Sequence, residues 1–310
     1  MAIDATLLPI LVTGGAGKLA RLILEALIAR GVPPERLITT TRTPERLAAL
    51  AARGVEVRQA DHDKAETLVS AFRGARRMLL ISGTPQAFIA GIRVKQHKAA
   101  IAAAVDAGVP HIFYTSAPNA AADTLADAHV DHWRTEEAMK ASGAAWTILR
   151  HWEWPDWHLE HHWRHAVDHG VFYAGSADGR ISHITRPDTA EADAGALLTR
   201  DVENRTFDIT GPQGLRASDI VDALRGAGAK DLKLVMLEPG ELAAKLLQTG
   251  VPAEAAPIFA MIANAIRGGC YDGVSPDADI FAGRPRTTMA EWLVEALPRV
   301  LARPPAGLWD

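Results

Sequence analysis

The chain has 310 residues, 48% of them hydrophobic and 23% charged, with a formal net charge of −4 at pH 7. That length and composition support a sizeable core, enough for a nucleotide domain with a smaller companion, and argue against disorder. A near-balanced charge with no long basic run excludes a phosphate-backbone footprint, so no nucleic-acid partner is expected.

Cys270 is the single cysteine, which rules out a disulfide within the chain and a cysteine metal cage. A reducing compartment follows, and the protein is expected to be cytoplasmic. The apolar run Leu7–Val12 is too short for a secretory core, and no stretch approaches a membrane span, so no membrane association is expected.

Short apolar runs alternate with helical patterns through the first half. Leu7–Thr13 reads as a strand and Lys18–Arg30 as a helix, with Leu19, Leu22, Ile23, Ala26 and Leu27 at helical spacing and Gly31 as its stop. Arg36–Thr41, Val55–Arg58, Met78–Ile81, Val109–Tyr114 and Trp146–Leu149 read as further strands. Helices are expected at Pro44–Arg53, Lys64–Phe72, Arg93–Ala107 and His132–Ala141. Beyond Arg150, Val171–Tyr173, Thr206–Ile209 and Leu232–Leu237 look like short strands. Thr189–Arg200, Ser218–Gly226, Glu241–Thr249 and Pro257–Arg267 look helical.

Repeated strand–helix alternation implies right-handed crossovers and a sheet covered on both faces. The expectation is an α/β fold, a Rossmann-type doubly wound parallel sheet with a smaller, mostly α C-terminal substrate domain. Residues 1–150 would form the nucleotide domain, joined by a return segment at about 187–212. Residues 151–186 and 213–310 would form the substrate domain.

The segment Thr13-Gly14-Gly15-Ala16-Gly17-Lys18-Leu19-Ala20 follows a strand and opens a helix, the context a dinucleotide-binding turn requires. Gly14 suits the tight turn, Gly17 the approach of backbone to a diphosphate, and the small Ala20 close helix–strand packing. Amides at the helix start would hold the diphosphate, with the helix dipole favouring its charge. The end of the second strand reads Thr39-Thr40-Thr41-Arg42-Thr43, with no carboxylate until Glu45. NAD binders place an acid there for the ribose hydroxyl, whereas Arg42 can fork onto a 2′-phosphate. The expected cofactor is NADPH.

With these residues in view, the chain resembles the NmrA-like atypical short-chain dehydrogenases. The resemblance rests on the turn, Thr41-Arg42-Thr43-Pro44, Arg58-Gln59-Ala60-Asp61 and Leu80-Ile81-Ser82-Gly83. His111–Ser116, Thr147-Ile148-Leu149-Arg150 and Gly283-Arg284-Pro285 extend it. Within the family the chain is most similar to the bacterial type-2 quinone reductases and triphenylmethane reductases. The resemblance implies NADPH on Gly14, Gly15, Ala16, Gly17, Lys18, Leu19 and Arg42, with further contacts from Ser82, Gly83 and Thr115. It implies hydride transfer to a quinone-like or conjugated aromatic substrate. One departure is His151, where the family commonly carries Asn after the Leu-Arg pair.

The Tyr-x-x-x-Lys pair of alcohol dehydrogenation is absent, because Pro118, Ala177 and Ser275 stand four residues beyond Tyr114, Tyr173 and Tyr271. Hydride delivery to a conjugated acceptor needs less acid help, so proximity and orientation can carry the rate. His132, in a segment similar to the family's His-x-x-Thr-Glu pattern with Thr135 and Glu136, is a candidate acid or positioning group with a pKa expected near neutrality. It reads equally as a helix residue bonded to backbone. His151 is the second catalytic candidate.

Half of the twelve histidines and half of the eight tryptophans lie between 151 and 169. If a regular helix starts at Asp156, then His158, His161, His162, His165 and His169 share an arc of about 100° at the usual angle per residue. Three readings stay open: a partly solvated polar face; a metal or haem site built from His158, His162 and His165; or a pocket walled by Trp152, Trp154 and Trp157 with His151 facing the nicotinamide. At the level of function, the reductase competes with a non-catalytic NADP(H) redox sensor and with a metal- or haem-dependent oxidative enzyme using helix 156–169. A small aromatic or quinone-like molecule is the expected partner, with a homodimer as a candidate assembly.

Overall fold

In a computed structural model, residues 3–125 and 127–304 are described. Strand and helix alternate as β1 (Ile10–Val12), α1 (Lys18–Ala29), β2 (Leu37–Thr41), α2 (Ala48–Ala51), β3 (Glu56–Gln59), α3 (Leu68–Phe72) and β4 (Arg77–Leu80). They continue as α4 (Pro85–Ile89), α5 (Arg93–Asp106), β5 (His111–Ser116), α6 (Asp127–Lys140) and β6 (Ala145–His151). Among the described residues these strands and β8 (Arg205–Ile209) make one seven-stranded sheet in the order β3-β2-β1-β4-β5-β6-β8. Every pairing is parallel. The fully buried Ile10, Leu11 and Val12 explain why β1 reads as an uninterrupted apolar run, since a parallel strand is covered on both faces.

The two faces fill differently. Leu11, Met78, Leu80, Ile112 and Tyr114 pack against Phe72, Ile101, Ala104 and Met139. Ile10, Val12, Leu79, Phe113 and Leu149 belong to a core that continues into the second half of the chain, with Trp163, Ile184 and Leu293. Burying each such side chain stabilises the fold by about 1.5–3 kcal/mol.

The second half holds α7 (Pro155–His158), a π-helical turn (Leu159–Trp163), α8 (Arg164–His169), β7 (Val171–Ala174), α9 (Arg186–Leu198), α10 (Ala217–Gly226) and β9 (Lys233–Met236). Then come α11 (Pro239–Gln248), α12 (Ala255–Arg267), α13 (Asp277–Ala282) and α14 (Met289–Leu301). β7 and β9 pair in parallel as a separate small sheet. Arg30 at the end of α1 reaches both Glu191 of α9 at 2.8 Å and the Ala282 carbonyl after α13 at 2.8 Å, tying the halves together. No helix among the described residues is long and apolar enough to cross a membrane.

Strand order reverses between β1 and β4. In open parallel sheets that switch point leaves a crevice at the carboxyl ends of the strands, where ligands bind. The glycine turn lies there.

Candidate functional site

Gly14 turns the chain with φ +67°, a left-handed conformation that glycine takes without cost. The Gly17 amide closes the turn on the Gly14 carbonyl at 2.8 Å, and Gly17 is the N-cap of α1 without a capping side chain. The helix start therefore presents backbone donors and its positive dipole end to the crevice, which fits a diphosphate. Gly15 works differently. Its amide donates to the Thr40 carbonyl at 2.8 Å, and a Cβ on it would collide with the Thr39 side chain. It contributes close approach of the turn to β2 rather than a donor for the cofactor. Arg42 is exposed at the carboxyl end of β2, beside His62, a residue the sequence pattern did not single out.

The segment after β4 is held by three side chains. The Ile81 amide donates to Thr13 Oγ1 at 2.9 Å, Ser82 to Thr115 Oγ1 at 2.8 Å, and Gly83 to His97 Nε2 at 2.8 Å. Ser82, Gly83 and Thr115 are thus assembled at one edge, joined by Thr13 of the glycine turn and by His97, which sequence reasoning missed. Because His97 Nε2 accepts, its proton sits on Nδ1 and faces Thr135 Oγ1 at 3.0 Å, whose own proton goes to the Asp131 carbonyl at 2.8 Å. Burial, with the Arg93 charge adding to it, pushes His97 down to about 3 and keeps it neutral.

His132 is buried on α6, its Nδ1 2.9 Å from the Tyr114 hydroxyl. Burial first, then the charge of Arg93, holds it well below the usual imidazole range. The expected near-neutral pKa is corrected: His132 is a neutral imidazole bonded to a phenol that burial pushes up. His151 ends β6 with Nε2 2.8 Å from Asp193 Oδ1 on α9, so it is anchored to a fully buried carboxyl. Beneath the same edge, Glu136 accepts from Ser116 Oγ at 2.6 Å and from Arg150 Nη2 at 2.8 Å, clamping α6 to β5 and β6.

The three expected pocket tryptophans diverge. Trp152 Nε1 donates to Asp208 at 3.2 Å, Trp154 Nε1 to Thr189 at 3.2 Å, and Trp157 packs on Phe259 at 4.3 Å. None of them lines the apolar cavity in the second half, a narrow space of about 50 Å³. Its walls include Trp163, Phe172 and Phe259, with His158, His162 and His183.

This geometry can be set beside known proteins. Residues 8–148 match the NmrA-like family. Quinone oxidoreductase 2 of Escherichia coli (strain K12) is 33% identical over 290 residues, 91% of this chain and 96% of the relative. This chain belongs to the NmrA-like family. The solved triphenylmethane reductase of Citrobacter sp. complexed with NADP(H) superposes on it with a TM-score of 0.83 at 29% identity, covering 92% of this chain and 98% of the other. The Escherichia coli quinone oxidoreductase complexed with NADPH superposes with a TM-score of 0.83 at 29% identity, covering 93% and 99%.

In this NmrA-like protein the histidine-rich helix does not present one imidazole face. The π turn at Leu159–Trp163 inserts an extra residue per turn, so the regular angle fails midway. His158, His161 and His162 are buried, whereas His165 lies beside Gly250 and His169 is exposed. The candidate metal set His158, His162 and His165 is therefore split, and among the described residues no group of three or more His, Cys, Asp or Glu is placed to hold a metal ion. His158 instead meets His183 at 5.0 Å between ring centres, and both are pushed down to about 3 by burial.

Two residues past β6, Glu153 completes the polar surroundings. Its carboxyl interacts with the Tyr271 phenol, which lies 3.0 Å from His129 Nε2. Its Oε1 is 3.5 Å from His158 Nε2, and its carbonyl accepts from the Ile184 amide at 3.1 Å. Burial pushes the Glu153 carboxyl up and His129 down to about 4. A glutamate set between two tryptophans gave no sequence signal, because Tyr271 and His183 are distant in the chain.

Proposed function

We propose that this chain is an NADPH-dependent oxidoreductase that delivers hydride to a quinone-like or conjugated aromatic substrate. The observation that carries the reading is the turn at the switch point: positive-φ Gly14, an α1 start without a capping side chain, and Arg42 exposed at the end of the neighbouring strand. Together they match a diphosphate and a 2′-phosphate on one dinucleotide. When bound, the dihydronicotinamide supplies a hydride. The residues assembled around Ile81–Gly83 would set its ring at the carboxyl edge of β4 and β5.

The absence of a Tyr-x-x-x-Lys pair supports an acceptor that stabilises charge itself. So does the state of Tyr114, whose buried phenol is held protonated. The relatives named for quinones and triphenylmethane dyes point the same way. A single free cysteine, Cys270, accords with a reducing, cytoplasmic setting.

Arg42→Ala tests the cofactor assignment. It should weaken NADPH binding by about 10–100-fold, the value of a charge-assisted fork on phosphate, and leave NADH binding within about threefold. Calorimetric titration of both cofactors into both proteins reads this directly. Equal weakening of NADPH and NADH, or none, would remove Arg42 from the 2′-phosphate role.

A further inference from the structure

We propose that Glu153 is the acid that protonates a carbonyl-bearing substrate as hydride reaches it, an inference that rests on the reductase reading above. The placement of Glu153 carries the argument. It lies just beyond the carboxyl end of β6, on the ligand side of the sheet. On one flank, His158 Nε2 lies 3.5 Å from the Glu153 carboxyl and His183 Nδ1 lies 3.3 Å from the Glu153 carbonyl, and both imidazoles line the cavity. On the other flank, Tyr271 leads to His129, which packs 6.5 Å from His132, and His132 bonds Tyr114, the neighbour of Thr115 at the cofactor edge. Glu153 thus stands between the cavity and the end of β5.

The surroundings suit an acid. Among the described residues, the titratable groups named around the carboxyl are neutral at pH 7. His129 on α6, His158 on α7 and His183 before α9 are held neutral by burial, and the Tyr271 phenol is pushed far up. Burial outweighs the interactions with His183, His129 and Tyr271 that favour the carboxylate, so the protonated form persists higher in pH than for a free glutamate. The side chain is still 23% exposed, so solvent can return its proton after each turnover.

The chemistry balances. Reduction of a quinone breaks the C4–H bond of the dihydronicotinamide, and the hydride with its electron pair bonds to the quinone. The nicotinamide is oxidised and the quinone is reduced by two electrons. The O–H bond of Glu153 breaks, and its proton goes to the oxygen that has become anionic. The Tyr271 hydroxyl is placed to donate to the carboxylate left behind, and water then reprotonates it. A triarylmethyl cation differs in kind, since it takes up hydride alone and ends neutral, with no proton required.

That difference supplies the test. Wild type, Glu153→Gln and Glu153→Asp, as full chains with NADPH, are assayed against a soluble benzoquinone and a cationic triarylmethane dye across pH. Glu153→Gln should lower kcat for the quinone by about 100-fold or more, the usual worth of a general acid, and change dye reduction by less than about threefold. In wild type the quinone rate should fall as pH rises through the acid's raised range. The glutamine variant should lose that limb, and aspartate should restore part of the rate. A glutamine variant with an unchanged quinone rate and pH profile overturns the proposal. Equal loss on both acceptors overturns it too, as the mark of a structural role, and so does a wild type that reduces the dye but not the quinone. A wild type that oxidises NADPH with neither acceptor is a separate result, and it overturns the reductase reading itself.

Discussion

Acidification from pH 7 to about pH 5 is expected to unfold the protein cooperatively, because the fold buries an unusual number of neutral imidazoles. His97, His158, His162 and His183 are each pushed down to about 3, His111 and His129 to about 4, and His132 well below the ordinary 6.5. In each case burial is the largest cause. The folded chain therefore binds no proton at these sites until the pH is very low, whereas the unfolded chain binds one at each near 6.5. Their stability contribution is intact above 6.5 and is lost as pH falls toward the folded values. The loss is about 1.4 kcal/mol per pH unit for each histidine. Glu153 and Asp193, pushed up by burial, act with the opposite sign, but they are two groups against seven. The net change by about pH 5 is on the order of 10 kcal/mol, comparable to the whole stability of a domain. Circular dichroism in stepped buffers checks it. A native near-ultraviolet signal that persists at pH about 4 would mean that these imidazoles ionise in place.

Gly15→Ala is the second change with a large expected effect. The new Cβ would collide with Thr39 Oγ1, approach Leu47 Cδ1 to 2.9 Å and meet Thr39 Cγ2 at 3.0 Å. Thr39 cannot swing aside easily. It is β-branched, fully buried in β2 and holds the Val12 carbonyl at 2.8 Å. The turn must move instead, carrying Gly14 and the start of α1 away from the diphosphate position. Overpacking of this kind costs about 1–3 kcal/mol, and a displaced loop should weaken NADPH by about 30-fold or more. The double variant Gly15→Ala/Thr39→Ala opens the space and should recover much of the affinity, because the two side chains then no longer compete. If the single variant binds NADPH like wild type, the turn does not grip the cofactor through its packing on β2.

The contrast between these two predictions shows what the sequence could disclose. The glycine turn was legible because its function is local: four residues bend, a helix begins, and the strand before it is uniformly apolar. Strand–helix alternation was legible for the same reason, and the all-parallel pairing of the seven-stranded sheet follows from it. His97 was not, since a single histidine on an ordinary helix becomes important only through the Gly83 amide, a tertiary contact. Nor was Glu153, whose partners Tyr271, His158 and His183 come together only in the fold. The histidine-rich segment misled in a specific way, because the regular helical angle was extended through a π turn that periodicity cannot reveal. The three tryptophans beside it were grouped by proximity in sequence, yet each indole or ring found a different neighbour. By contrast, α14 was readable and unread. Thr288 and Glu291 form a capping box with hydrogen bonds of 2.9 Å and 3.3 Å, ahead of an apolar run.

The central claim is that the residues between Gly14 and Leu19, with Arg42, hold NADPH so that its hydride is available to a conjugated acceptor. Fluorescence titration of NADPH into the purified chain, followed by addition of a quinone to the saturated complex, tests it most directly. The account predicts saturable binding with a dissociation constant on the order of micromolar, and loss of the bound reduced-nicotinamide signal once the quinone is added. No saturation up to about 1 mM, or a bound signal that survives the quinone unchanged, would contradict it.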